Sequence, residues 1–144
     1  MEAIVKLSGP LFAAGMPDKV RQAIQNAVEE MTELGEQKLA GPGDHFLRPR
    51  PGGVYLSVAE AKRGQYSRGA FRSSIHKTFG NLIGRIESAG AAAVYGPWLE
   101  GTSSRNQTTR FKGYAAFRRT AQFMEERKGG IVQKWVTKLV GEID

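Results

Sequence analysis

From Pro17 to Leu39 the apolar residues Val20, Ile24, Ala27, Met31 and Leu34 recur at intervals of three and four, and Gly41-Pro42-Gly43 follows at once. This spacing predicts an amphipathic helix of about six turns with a proline in its first turn, Asp18 near its positive end and an abrupt stop. A helix of that kind cannot stand alone in water. Its stripe must be covered by other elements, so the remaining chain has to supply a sheet face or a second helix. Its other face carries Glu29, Glu30, Glu33 and Glu36, expected either as a solvated surface or as one that meets the basic loops of a neighbouring copy.

The covering elements are legible on both sides. Ala3, Val5 and Leu7 alternate in a short strand that Gly9-Pro10 ends, an expected edge strand. Phe71–Phe79 and Leu82–Ser88 are β-capable runs joined by a turn expected at Gly80-Asn81, and apolar residues on both faces of the second run mean that at least one strand is central or covered by the helices. Tyr114, Phe117, Ala121 and Met124, then Ile131, Trp135 and Leu139, give two helical pieces with a break at Gly129-Gly130, either a kink or a turn. The expected fold is α+β: a small twisted antiparallel β-sheet flanked by a long N-terminal helix and C-terminal helices. At 144 residues this is one domain, 1–144.

Residues 41–70 break that frame. GPGDHFLRPRPGG and KRGQYSRG are rich in turn residues around one strand candidate, Val54–Val58, which predicts a long extended loop or hairpin arm. The net charge of +7 collects there and in one other segment: 45–85 holds eight basic residues and one acid, and 105–119 holds five basic residues and no acid. Solubility is one explanation; a surface facing a polyanion or acidic partner is the other. The candidates for facing DNA are Arg48, Arg50, Lys62, Arg63, Arg68, Arg105, Arg110 and Lys112, with Asn106, Thr108 and Thr109 as neutral phosphate ligands. Aromatic residues are sparse among them, which disfavours base stacking on single strands.

Enzymatic chemistry finds no foothold. Cysteine is absent, and His45 and His76 lie 31 positions apart, in no spacing that suits a metal or a nucleophilic triad. No phosphate-binding glycine motif lies between a strand and a helix. We expect no catalytic residues, no metal and no cofactor. No apolar run approaches a membrane span and no signal peptide is recognisable, so no membrane partner is expected.

The stretch Ala91–Phe117 combines these themes. Tyr95, Trp98 and Phe111 read as core anchors on either side of the polar loop Gly101, Thr102, Ser103, Ser104, Arg105, Asn106, Gln107, Thr108, Thr109 and Arg110, with a short helix near Pro97-Trp98 ended by Gly101. Gly69-Ala70-Phe71-Arg72-Ser73-Ser74-Ile75, a hairpin, Val94-Tyr95-Gly96-Pro97-Trp98-Leu99-Glu100-Gly101-Thr102, a polar loop and Phe111 before a last helix occur in that order. In this order and spacing, over residues 69–125, the chain resembles the small neck and tail-completion proteins of long-tailed bacteriophages, the gene-product-ten-like proteins of lambdoid phages. It departs from their pattern at Phe71, Gly96 and Arg110, where Leu, Ala and Pro are usual.

The resemblance implies a structural virion protein, a neck, tail-completion or tail-terminator component, assembled in the host cytoplasm and located at the head–tail junction. It implies self-assembly into a ring, in the first instance a hexamer, which contacts portal or connector (adaptor, head-completion) proteins and the tail tube protein. Double-stranded DNA would pass through that ring. It also implies that Tyr95, Trp98, Leu99, Glu100 and Phe111 are structural and that loop 101–110 makes contacts between subunits or rings. The residues alone leave a stand-alone DNA- or RNA-binding module as the alternative.

Overall fold

A computed structural model describes residues 2–6, 17–47 and 70–142. The elements in chain order are β1 (Glu2–Lys6), α1 (Asp18–Ala40), α2 (Ala70–Ser73), β2 (Ile75–Gly80), β3 (Ile83–Ser88), a 3-10 turn (Ala91–Tyr95), α3 (Gly96–Glu100), α4 (Arg105–Thr108) and α5 (Ala116–Gly141). The fold is α+β. The arm beyond Leu47, with the Val54–Val58 strand candidate and Arg48, Arg50, Lys62, Arg63 and Arg68, lies outside the described residues.

The sheet is antiparallel in the order β1-β3-β2, so β3 is central and β1 forms one edge, as the alternation predicts. Ala3 pairs with Ile86 and Val5 with Gly84 on one side, and Lys77 pairs with Ile86 and Phe79 with Gly84 on the other. α1 crosses the inner face and α5 packs beside α1. Their common centre is a three-way joint at which Gly35 of α1, Ile86 of β3 and Met124 of α5 meet so closely that a Cβ on Gly35 would strike both side chains. A Cβ on Gly84 would likewise run into the Thr32 hydroxyl, so helix and strand approach at backbone distance. Thr32 is fully buried and donates its hydroxyl to the Val28 carbonyl at 2.7 Å, which leaves no orphan donor at this contact.

α1 ends where expected, and its last four carbonyls all find donors. Gly41 N–H donates to Gln37 O, Phe46 N–H to Lys38 O, and Leu47 N–H to Leu39 O. The Arg72 guanidinium donates to Ala40 O and Gly41 O at 2.6 and 2.8 Å. The helix terminus is therefore closed by tertiary partners rather than by water.

Three expectations are corrected. Phe71–Ser73 forms α2 rather than the start of a strand: Ser74 turns its N–H and hydroxyl onto Phe71 O, and Phe71 is buried. The hairpin turn falls at Asn81-Leu82, not Gly80-Asn81, because Gly80 pairs with Ile83. Both turn residues are left-handed, φ 49° and 60°, as the right-handed twist of a two-residue hairpin requires, and Leu82 takes a conformation costly to it. Gly129-Gly130 does not break the helix into two pieces, since α5 is continuous over 26 residues. Met124 before the pair and Ile131 after it are both buried, and packing on the two sides outweighs a propensity cost of about 1 kcal/mol per glycine.

The glutamate face of α1 is also not a free surface. Lys134 Nζ and Trp135 Nε1 both donate to Glu30, at 2.8 and 2.7 Å, tying α5 to α1. The Lys134 hydrogen bond, against the opposing effect of burial and helped by Trp135, holds the Glu30 carboxyl below its ordinary range. Lys77 of β2 donates to Glu36 at 2.8 Å and lies 3.9 Å from Glu33; the Glu36 bond raises its pKa above the ordinary lysine value.

Candidate functional site: a pinned basic loop on the start of α5

The chain reaches the loop through the 3-10 turn and α3, whose first residues include Pro97, suited to a first helical turn. Gly101 closes α3 in the left-handed conformation, φ 93°, donating its N–H to Pro97 O and Trp98 O. Thr102 and Ser103 add their N–H groups to Pro97 O, so one carbonyl gathers the whole exit from the helix.

The loop is not loose. α4 occupies 105–108, and at its centre Asn106 is buried, 4% exposed. Asn106 Nδ2 donates to Trp98 O at 2.9 Å and Phe111 O at 3.1 Å, and its Oδ1 accepts from Ser103 N–H at 3.1 Å. One side chain thus ties the entry, the middle and the exit of the loop together. Lys112 Nζ reaches back to Asn106 O and Gln107 O at 2.8 and 3.3 Å, a cation set against the carbonyl end of α4.

At the neck the two strands of the loop touch. Gly101 and Gly113 lie backbone against backbone, and a Cβ on either would collide with the other strand. Both have φ near +90°, so these are positions where glycine is needed twice over. Tyr114 N–H donates to Leu99 O at 2.6 Å just below them. Trp98, Phe111 and Tyr114 form an edge-to-face series with centroid spacings of 4.9 and 5.1 Å, and the Arg105 guanidinium lies over Trp98 at 5.3 Å.

Beneath the neck, Glu100 joins the loop to the long helix. Its buried carboxylate accepts Phe117 N–H on Oε2 and Arg118 N–H on Oε1, both at 2.9 Å. α5 begins after Ala115, a left-handed residue whose side chain makes no capping bond, and has no acid in its first turn; Arg118 and Arg119 stand there instead. Two cations at the positive end of a helix are unfavourable, and Glu100 supplies from α3 the negative cap that the local sequence lacks.

The expected site residues separate into two groups. Thr102, Ser104, Arg105, Gln107, Thr108, Thr109 and Arg110 are exposed along the loop. Asn106, expected as a phosphate ligand, spends both amide hydrogens and its oxygen inside the loop. The Thr108 and Thr109 hydroxyls donate to Arg105 O, and the Lys112 ammonium is engaged with carbonyls, so these too are committed internally. Of the structural residues, Trp98, Leu99 and Phe111 are half-buried and Glu100 is buried, whereas Tyr95 is 40% exposed beside Val94 at 74% and is not a core anchor. Gly113 and Ala115 were not singled out in the sequence; the one signal was a glycine two residues past Phe111, ahead of the helical stripe.

His76 Nε2 lies 3.2 Å from Glu87 on the outer face of the sheet. Among the described residues no three His, Asp or Glu side chains come together as a metal would need. No described helix is long and apolar enough to cross a membrane. Compared with protein-family models, with curated proteins and with solved structures, the chain matches none.

Proposed function

We propose that this chain is a structural subunit of the head–tail connection of a long-tailed bacteriophage, a neck, tail-completion or tail-terminator component that closes into a ring around the DNA channel between portal or connector and tail tube. One observation carries the reading. Trp98-Leu99-Glu100-Gly101-Thr102 and Phe111, part of the motif that resembles the phage proteins, coincide with the joint that locks a solvent-facing loop onto the start of a 26-residue helix. A joint of this type supports assembly: it holds a contact loop at fixed height and angle on every copy.

The energetics suit a ring. Ile4, Phe79, Val94, Tyr95, Val136 and Val140 are large apolar side chains left exposed, and apolar surface buried between copies contributes about 25 cal/mol per Å². Because loop 101–113 is pinned by its own hydrogen bonds, docking onto the next ring would cost little ordering entropy there. The internal pinning favours a loop that docks as a rigid body.

The test is the mass of the purified protein, alone and mixed with the portal, connector and tail-tube proteins of the same genome, with electron micrographs of the products. A ring, alone or on one of these partners, is expected. A strict monomer that joins none of them would overturn the proposal. The exposure of Arg105 and Arg110 favours, as a second reading, a stand-alone nucleic-acid module; it predicts duplex binding by a monomer that never forms rings, lost when both become Glu.

A further inference from the structure

The described cations are not equally available. Lys77, Lys134 and Lys128 pair with carboxylates, and Arg72 and Lys112 are used on backbone carbonyls. Arg119 and Arg127 differ, as does Arg105 over Trp98 in the loop. Both are exposed on α5, and neither guanidinium has an ion pair or a side-chain hydrogen bond among the described residues. Each is instead held over an aromatic ring: Arg119 lies 4.2 Å from the centre of Phe46 and Arg127 lies 5.4 Å from the centre of Phe123.

The rest of the cluster follows from the helix repeat. Arg119, Phe123 and Arg127 stand at i, i+4 and i+8, on one stripe of α5. Lys38 of α1 closes it from the side, with Nζ 5.0 Å from the Phe46 centre and 5.6 Å from the Phe123 centre. The carboxylate at the edge is Asp44, 3.0 Å from Lys38 Nζ, while Glu125 is paired with Lys128 and Glu126 is the sequence neighbour of Arg127. The patch is therefore positive at its two arginines and close to neutral at its lysine.

We propose that the Arg119–Phe123–Arg127 stripe, backed by Phe46 and Lys38, is a contact face for the phosphate backbone of double-stranded DNA. A guanidinium drawn over a ring by cation–π attraction keeps its N–H donors unspent, so the fork stays free for phosphate oxygens. The arginines lie about 12 Å apart along the helix axis, too far to share one phosphate and suited to two separate ones. Phe46 and Phe123 already carry cations on their faces, which leaves them poorly placed to stack bases; that favours backbone contact over single-strand binding. This face deepens the ring reading by naming a surface that a subunit could turn to its channel, and it is separate from the arginines of loop 101–110.

The experiment titrates the full-length chain with a short mixed-sequence duplex across a salt series, comparing wild type, Arg119→Gln/Arg127→Gln and, as the contrast, Arg105→Gln/Arg110→Gln. Loss of two phosphate contacts lowers the slope of log K against log salt by about 1.8, which at about 0.1 M salt is about a 60-fold loss of affinity. The loop pair is expected to keep the wild-type slope. Should the double variant lose its helical circular dichroism, Arg127→Gln alone, at an exposed mid-helix position, decides with about half that change in slope. An unchanged slope in the stripe variants overturns the proposal, as does tight binding of a poly-glutamate peptide with no binding of duplex. A chain that never forms rings yet shows the slope loss leaves this inference standing and removes the ring; a ring whose stripe variants bind duplex as wild type does the reverse.

Discussion

Glu100→Ala would remove the one side-chain cap that the described residues give α5 and strand two backbone donors, Phe117 N–H and Arg118 N–H, at a place that is 6% exposed at Glu100 itself. Loss of a helix N-cap costs about 1 kcal/mol, and each buried amide left without an acceptor costs about 1–3 kcal/mol. Against this stands the relief of no longer burying a carboxylate, so we expect a net destabilisation of about 3 kcal/mol. For a chain of this size about 1 kcal/mol moves the midpoint by about 3 °C, and the melt should fall by about 10 °C. Glu100→Gln keeps the shape and one acceptor but turns an NH2 toward the other N–H, so a loss of about 2 kcal/mol is expected. Glu126→Ala, a carboxylate on the exposed side of the same helix, should change stability by less than about 0.5 kcal/mol. The assay is thermal and urea unfolding followed by helical circular dichroism. If Glu100→Gln unfolds with wild type, or Glu126→Ala costs as much as Glu100→Ala, the argument that this carboxylate caps the helix is refuted.

Gly113→Ala places a methyl group into the Gly101 backbone at a left-handed position, and we expect at least about 2 kcal/mol of destabilisation with faster protease cleavage within 101–113; cleavage at the wild-type rate would count against a closed neck. Gly129→Ala/Gly130→Ala should stabilise by about 2 kcal/mol in total, because both are exposed within a continuous helix and a Cβ at either meets nothing within 4 Å; a lower melting temperature would show that the helix does break there. Glu30 has a lowered folded-state pKa, so its contribution is complete above the ordinary value of 4.5 and is lost as the pH falls below it. The stability difference between wild type and Glu30→Gln should therefore shrink on acidification below that value, and a difference independent of pH would contradict the Lys134–Glu30–Trp135 link.

How much of this was legible in advance differs between elements for physical reasons. α1 can be bounded to within a residue or two because its stripe and its Gly-Pro-Gly stop are local signals, although Pro17, expected in the first turn, stands before it as the N-cap with ψ 143°; the two-sided apolar pattern of Leu82–Ser88 asks for a strand that is central or covered, and only the pairing makes it the central one. The hairpin turn was misplaced by one residue, since Asn81-Leu82 competes with Gly80-Asn81 on propensity and only cross-strand pairing selects the register. The sequence shows the loop as polar, basic and flanked by aromatics, but not its internal wiring. Asn106 reads on paper like any exposed loop amide; its role depends on Trp98 O, Phe111 O and Ser103 N–H arriving together.

The sequence by itself determined the α+β class, the long first helix, the charge of the loop and the lack of any familiar catalytic spacing, because these follow from periodicity and composition over neighbouring residues. Only the tertiary structure decided that Glu100 caps a helix starting 16 residues later, that two glycines twelve positions apart touch, that α5 runs through its glycine pair, and that Arg119 and Arg127 lie over the rings of Phe46 and Phe123. Those facts are set by contacts between residues distant along the chain, and such contacts exist only once packing has closed the loops between them.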